Sequence, residues 1–114
     1  MGTMRTIIDN NILIAEFMGY TKATRKEAGA NLVNEVYEWY LKDVGYYYIN
    51  GDYHAEDYLL FHLDWNWLMN AVIKCKELEF FGGENLIKNI EEALVKADID
   101  EVYRAVIEFI NKYE

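Results

Sequence analysis

The sequence predicts a single α+β domain, a central β-hairpin or small antiparallel sheet packed by about four helices. Three observations carry this. Apolar residues recur at helical spacing near both ends and after Asp64. A block rich in tyrosine and β-branched residues lies between them. The length of 114 residues suits one hydrophobic core and is too short for two.

At the N-terminus, Ile12, Leu13, Ala15, Phe17 and Met18 predict a short helix over 11–18, stopped by Gly19. The segment 23–29 reads as a linker with at most a helical turn. Residues 32–53 fit two patterns. Leu32, Val33, Val36, Tyr37, Tyr40 and Leu41 match a helical stripe. Tyr37, Trp39 and Leu41 also alternate with Val36, Glu38 and Tyr40, and the run Tyr46-Tyr47-Tyr48-Ile49 follows. Aromatic and β-branched enrichment favours a hairpin turning at Lys42-Asp43-Val44-Gly45.

Asp64 is a favoured N-cap, and Leu68, Met69, Val72, Ile73 and Cys75 predict a helix over 65–78. Asn85 would cap the next helix, over 86–96, with Leu86, Ile87, Ile90, Ala93 and Leu94 inward. Asp98-Ile99-Asp100-Glu101 has the spacing of a capping box, and Ile99, Val102, Tyr103, Val106, Phe109, Ile110 and Tyr113 then mark an amphipathic helix over 99–113. The last two helices are close enough in sequence to form a helical hairpin.

Composition excludes several classes of function. At 53% hydrophobic and 16% aromatic residues, the chain has ample material for a core, against a disordered reading. A net charge of −9 argues against direct binding to nucleic acid or to anionic membranes. The single Cys75 rules out an intrachain disulfide, and no apolar run approaches a membrane span or a secretory signal, so a cytoplasmic setting is expected. Met1-Gly2-Thr3-Met4-Arg5-Thr6 fits the loose N-myristoylation pattern, which a start at Met4 or a cloning remnant explains better. Proline is absent, so turns must be built from Gly, Asn and Asp.

Chemistry is sparse. The chain has no serine, so a serine nucleophile is excluded. His54 and His62, with Asp52, Glu56, Asp57 and Asp64 nearby, lack the close ligand spacing of a metal motif. The expectation is a solvated His54, a His62 that caps the region before the central helix, and no metal or other cofactor. Cys75 falls on the apolar face of its helix and reads as a buried, inert thiol. Gly82-Gly83 reads as a tight interhelical turn and not an anion site. Trp65 and Trp67 point about 200° apart on a helix. Both indoles are expected to wedge between helix and sheet; the alternative exposes one or packs it under the hairpin.

The acidity is concentrated where the tyrosines are. Residues 34–64 carry Glu35, Glu38, Asp43, Asp52, Glu56, Asp57 and Asp64 against Lys42 alone, and the same segment holds seven of the ten tyrosines. Strand residues alternate faces, and both faces of a strand are not expected to be buried in so small a domain. The candidate partner-contacting residues are therefore Glu38, Trp39, Tyr46, Tyr47, Tyr48, Asp52, Tyr53, Glu56, Asp57 and Tyr58. Tyrosines supply rigid contact area and carboxylates steer a cationic partner. A solvated acidic hairpin is the equal rival.

The segments Leu13-Ile14-Ala15-Glu16-Phe17-Met18-Gly19, Phe61-His62-Leu63-Asp64-Trp65-Asn66-Trp67-Leu68-Met69 and Ile99-Asp100-Glu101-Val102-Tyr103-Arg104-Ala105-Val106-Ile107-Glu108-Phe109-Ile110 together cover roughly a third of the chain. In these segments it resembles small phage and prophage proteins of the uncharacterised group described as the phage α-β-α sandwich domain. The Trp-Asn-Trp-Leu-Met block is the most specific part. It departs from that pattern at Asn70, where proline is usual, and Glu79-Phe80-Phe81-Gly82-Gly83 stands in place of an extra strand. The resemblance implies a small α+β fold and a phage-like origin, with no chemistry to transfer.

Two functions are expected from this reading. One is a non-enzymatic accessory protein that binds and inhibits a basic host protein, such as a CRISPR or restriction effector, by acidic mimicry of nucleic acid. The other is a small-molecule or nucleotide-binding module that stacks a base on its aromatics. A homodimer is also compatible with exposed tyrosines and amphipathic helices.

Overall fold

The computed structural model describes residues 4–30, 44–78 and 82–114. Within them, helix α1 runs Met4–Phe17 and strand β1 runs Thr21–Ala23, followed by helix α2 over Arg25–Ala30. Strands β2 (Tyr46–Ile49) and β3 (Asp52–Ala55) lead into a 3-10 turn, Glu56–Tyr58. Helices α3 (Trp65–Glu77), α4 (Glu84–Val95) and α5 (Ile99–Tyr113) complete an α+β fold.

The C-terminal half forms as its local chemistry dictates. Asp98 accepts from the N–H groups of Asp100 (3.0 Å) and Glu101 (3.3 Å), and Asp64 accepts from that of Asn66 (2.8 Å), so both side chains cap their helices. Helix α4 begins at Glu84, two residues earlier than predicted. Its N-cap is Gly83, whose carbonyl receives the N–H groups of Leu86 and Ile87, and Asn85 lies inside the first turn. Helices α4 and α5 pack as the expected hairpin. Gly82, at φ +90°, occupies the turn that leads into it.

Helix α1 is seven residues longer at its N-terminus than the sequence predicted. Its inward stripe is Ile7, Asn11, Ile14, Ala15 and Met18, a helical spacing interrupted by one polar residue, Asn11, which is buried. That substitution of an amide for an apolar side chain hid the first half of the helix. The end is as expected: Gly19 at φ +77° donates to Glu16 O (3.0 Å), and Tyr20 N–H donates to Ala15 O (3.2 Å), a Schellman stop. The Lys74 ammonium donates to Phe17 O and lies 5.0 Å from the Phe17 ring centre, a cation placed at the negative end of the helix.

The sheet differs from the predicted hairpin. β2 is central, antiparallel to β1 (Lys22 opposite Tyr47) and to β3 (Tyr47 opposite His54). The tight turn is Asn50-Gly51, both residues at positive φ (51° and 91°), as a two-residue type I′ hairpin requires. Gly45 lies just before β2, its carbonyl accepting from Glu56 N–H at 3.0 Å, just beyond the end of β3. The predicted strand over 36–41, its helical alternative and Lys42-Asp43 lie outside the described residues. Residues 23–29 are mostly helix and not linker, because Thr24 and Glu27 form a reciprocal capping box (Glu27 N–H to Thr24 Oγ1, 3.1 Å; Thr24 N–H to Glu27 Oε1, 2.9 Å) that starts α2.

Two cores result. The larger joins α1, α3, α4 and α5 to the inner sheet face through Ile14, Tyr47, Phe61, Leu68, Ile90, Val106 and Phe109, all essentially inaccessible. Each such side chain stabilises the fold by about 1.5–3 kcal/mol. The smaller, Ala23, Ala28, Tyr46 and Ala55, places α2 against the outer sheet face. Among the described residues, no helix is long and apolar enough to cross a membrane.

Candidate functional site

The outer sheet face, the hairpin turn and the 3-10 turn after β3 carry what remains of the predicted contact surface. Tyr48 and Tyr53 stand directly opposite each other on β2 and β3, their ring centres 4.9 Å apart and tilted by 57°. Tyr48 is 44% exposed and Tyr53 half-buried. Asp52 is exposed beside the Asn50-Gly51 turn. In the following 3-10 turn Tyr58 is 60% exposed, while Glu56 and Asp57 are half-buried. Glu56 Oε2 and Lys22 Cε approach Gly45 from two sides, each 3.0 Å from where a Cβ would stand, so this carboxylate is drawn into the sheet edge.

Two of the predicted contacts are not surface residues. Tyr46 is buried beneath α2 and Tyr47 is buried against the main core, so at these positions both faces of β2 are covered, contrary to expectation. The reason is α2, which supplies Ala28 as a lid on the outer face. Burial raises the pKa of Tyr47, and the carboxylates of Glu16 and Glu56 raise it further. Its hydroxyl is enclosed with no hydrogen-bond partner among the described residues. Glu38 and Trp39 lie outside the described residues.

The histidines are placed by packing. His54 is half-buried and meets the Trp67 ring edge-on at 5.0 Å, so it is not solvated as expected. Trp67 also packs edge-on to Phe61 (5.2 Å), whereas Trp65 is 37% exposed. One indole is therefore under the hairpin and the other is at the surface, because positions two apart on a helix face different ways. Among the described residues no group of three His, Cys, Asp or Glu side chains gathers to hold a metal ion. Cys75 is fully buried, and burial pushes its thiol up to about 12.

The structure also brings together residues that the sequence reading did not associate. A cleft of about 520 Å³ opens between α1 and α5 beside the loop that precedes α3. Thr6, Ile7 and Asn10 line one wall, and Asp100, Tyr103 and Arg104 the other, with His62 and Leu63 closing the end. It shares Asn10, Tyr103 and Arg104 with a shallower groove of about 300 Å³ that runs on past Ile107 and Glu108. Beneath it, the buried Asn11 amide donates to Leu59 O and to His62 Nδ1, both at 3.0 Å, and accepts from Tyr103 Oη at 2.9 Å. His62 Nδ1 is thereby an acceptor, which puts the imidazole proton on Nε2. His62, predicted to cap the region before the central helix, instead ties that loop to α1. Burial lowers its pKa, with Asp100 pulling weakly the other way. Burial also raises that of Tyr103. The one sequence signal for this site was Asn11, an amide on an otherwise apolar stripe.

Comparisons with protein-family models, curated proteins and solved structures gave no match.

Proposed function

We propose that this chain is a non-enzymatic, phage-like accessory protein that docks the tyrosine-bearing outer face of its sheet, together with the acidic turns beside it, on a basic host protein and inhibits it. The observation that carries this reading is the Tyr48–Tyr53 ring pair, with Tyr48 exposed and Asp52 exposed at the adjoining turn, in a stretch that has no Lys or Arg between Lys42 and Lys74. Rigid aromatic area flanked by carboxylates complements a cationic surface. The partner chemistry this suits best is a nucleic-acid-handling effector of the CRISPR or restriction kind, with carboxylates taking places meant for phosphates. The absence of serine and the enclosed, high-pKa thiol of Cys75 favour a binding role over nucleophilic chemistry. The nucleotide-binding alternative is less well supported, because the same stretch offers no cation to a phosphate.

The test is capture of a basic partner on the immobilised chain, run beside Asp52→Lys and Tyr48→Ser. Both positions are exposed, so both variants should fold. One stoichiometric partner, released by rising salt and lost with either variant, is the expected result. Capture indifferent to salt and to both substitutions refutes this docking mode.

A further inference from the structure

Independently of the sheet face, we propose that the cleft between α1 and α5 binds a free α-amino acid with an apolar side chain, its carboxylate on Arg104 and its ammonium on Asp100. Asp100 and Arg104 are one turn apart on α5, both exposed, and neither side chain makes an ion pair with the described residues. Arg104 stands between Asp100 and Glu108, four residues to either side. Asp100 and Arg104 are the charged residues among those lining the cleft, so a simple anion also meets a carboxylate and a simple amine also meets the guanidinium. A zwitterion matches both signs at once.

The remaining lining suits the rest of such a molecule. Ile7, Leu63 and the ring of Tyr103 provide apolar walls, and about 520 Å³ accommodates the largest apolar side chains. His62 adds a directional donor. With Nδ1 held by Asn11, the proton of this cleft-lining ring is on Nε2, available to a carboxylate oxygen. The buried Asn11 amide, bonded to both His62 and Tyr103, holds these two cleft residues relative to each other before any ligand arrives, the condition for a preorganised site.

Titration calorimetry and amide chemical-shift mapping with L-leucine and L-phenylalanine test this, with N-acetyl-L-phenylalanine and L-phenylalaninamide as the compounds that keep only one of the two charges. Saturable binding that shifts the amides of Asn10, His62 and Tyr103 is expected, weakened about tenfold or more when either charge is blocked, since a lost charge-assisted hydrogen bond costs at least that factor. Asp100→Asn and Arg104→Gln should each weaken it to a similar degree, with unchanged circular dichroism confirming that they fold. Glu108→Gln should leave it within about twofold. Absence of saturable binding by either amino acid, equal binding of the blocked compounds, or binding that survives both Asp100→Asn and Arg104→Gln overturns the proposal.

Discussion

Replacing Asn11 with alanine probes the polar centre of an otherwise apolar interface. Asn11 is 2% exposed and makes three hydrogen bonds, at 2.9 to 3.0 Å, to elements 48 to 92 residues away in the chain. Alanine leaves the Leu59 carbonyl enclosed and unpaired, at a cost of about 1–3 kcal/mol. Tyr103 Oη keeps a long bond to Ile7 O (3.4 Å), and the half-buried His62 retains access to water from the cleft, so each of these loses less. The total is about 3 kcal/mol, a large part of the roughly 5–15 kcal/mol that holds a domain together, and should lower Tm by about 10 °C. Urea unfolding followed by circular dichroism measures it. The loss should also depend on pH. Because the folded-state pKa of His62 is lowered, the unfolded chain takes up the proton first. The stabilisation is complete above the ordinary imidazole value of about 6.5 and disappears as pH falls through the lower folded value. Wild type and Asn11→Ala should therefore converge on acidification. A loss below about 1 kcal/mol at neutral pH, or a gap that does not shrink as the pH is lowered, would refute a buried network that depends on neutral His62.

Three further outcomes follow from local geometry. Gly51→Val places a β-branched residue at φ 91° in the hairpin turn and should cost about 1–2 kcal/mol by thermal melting, although no atom lies near enough to clash. Asp98→Ala removes the acceptor for two N–H groups at the start of α5 and should cost about 1 kcal/mol in the same assay. Cys75, fully buried with its thiol pushed up to about 12, should resist a thiol reagent in the native protein and react at once in denaturant.

The sites differ in how far the sequence revealed them. Helix α5 was legible residue for residue, since its cap and its stripe from Ile99 to Tyr113 are local and agree. The capping box Thr24–Glu27 and the Asn50-Gly51 turn were equally local signals. They were overshadowed by the longer aromatic alternation before Tyr46, most of which lies outside the described residues. Some tyrosines were expected at the surface, and Tyr48 and Tyr58 are; Tyr46 and Tyr47 were not distinguishable from them, because a tyrosine run carries no mark of what covers each face.

By itself the sequence determined the α+β class, the caps of α3 and α5, the stripes of the three C-terminal helices, the stop at Gly19 and the placement of acidity among the tyrosines. All of these are written in spacings of a few residues. Only the tertiary structure decided that α2 closes the outer face over Tyr46 and that β2 pairs on both edges. It alone joined Asn11, Leu59, His62 and Tyr103 under a cleft. Those outcomes depend on which distant surfaces meet, and a buried amide declares its purpose only when its partners, 48 to 92 residues away, are brought within 3.0 Å of it.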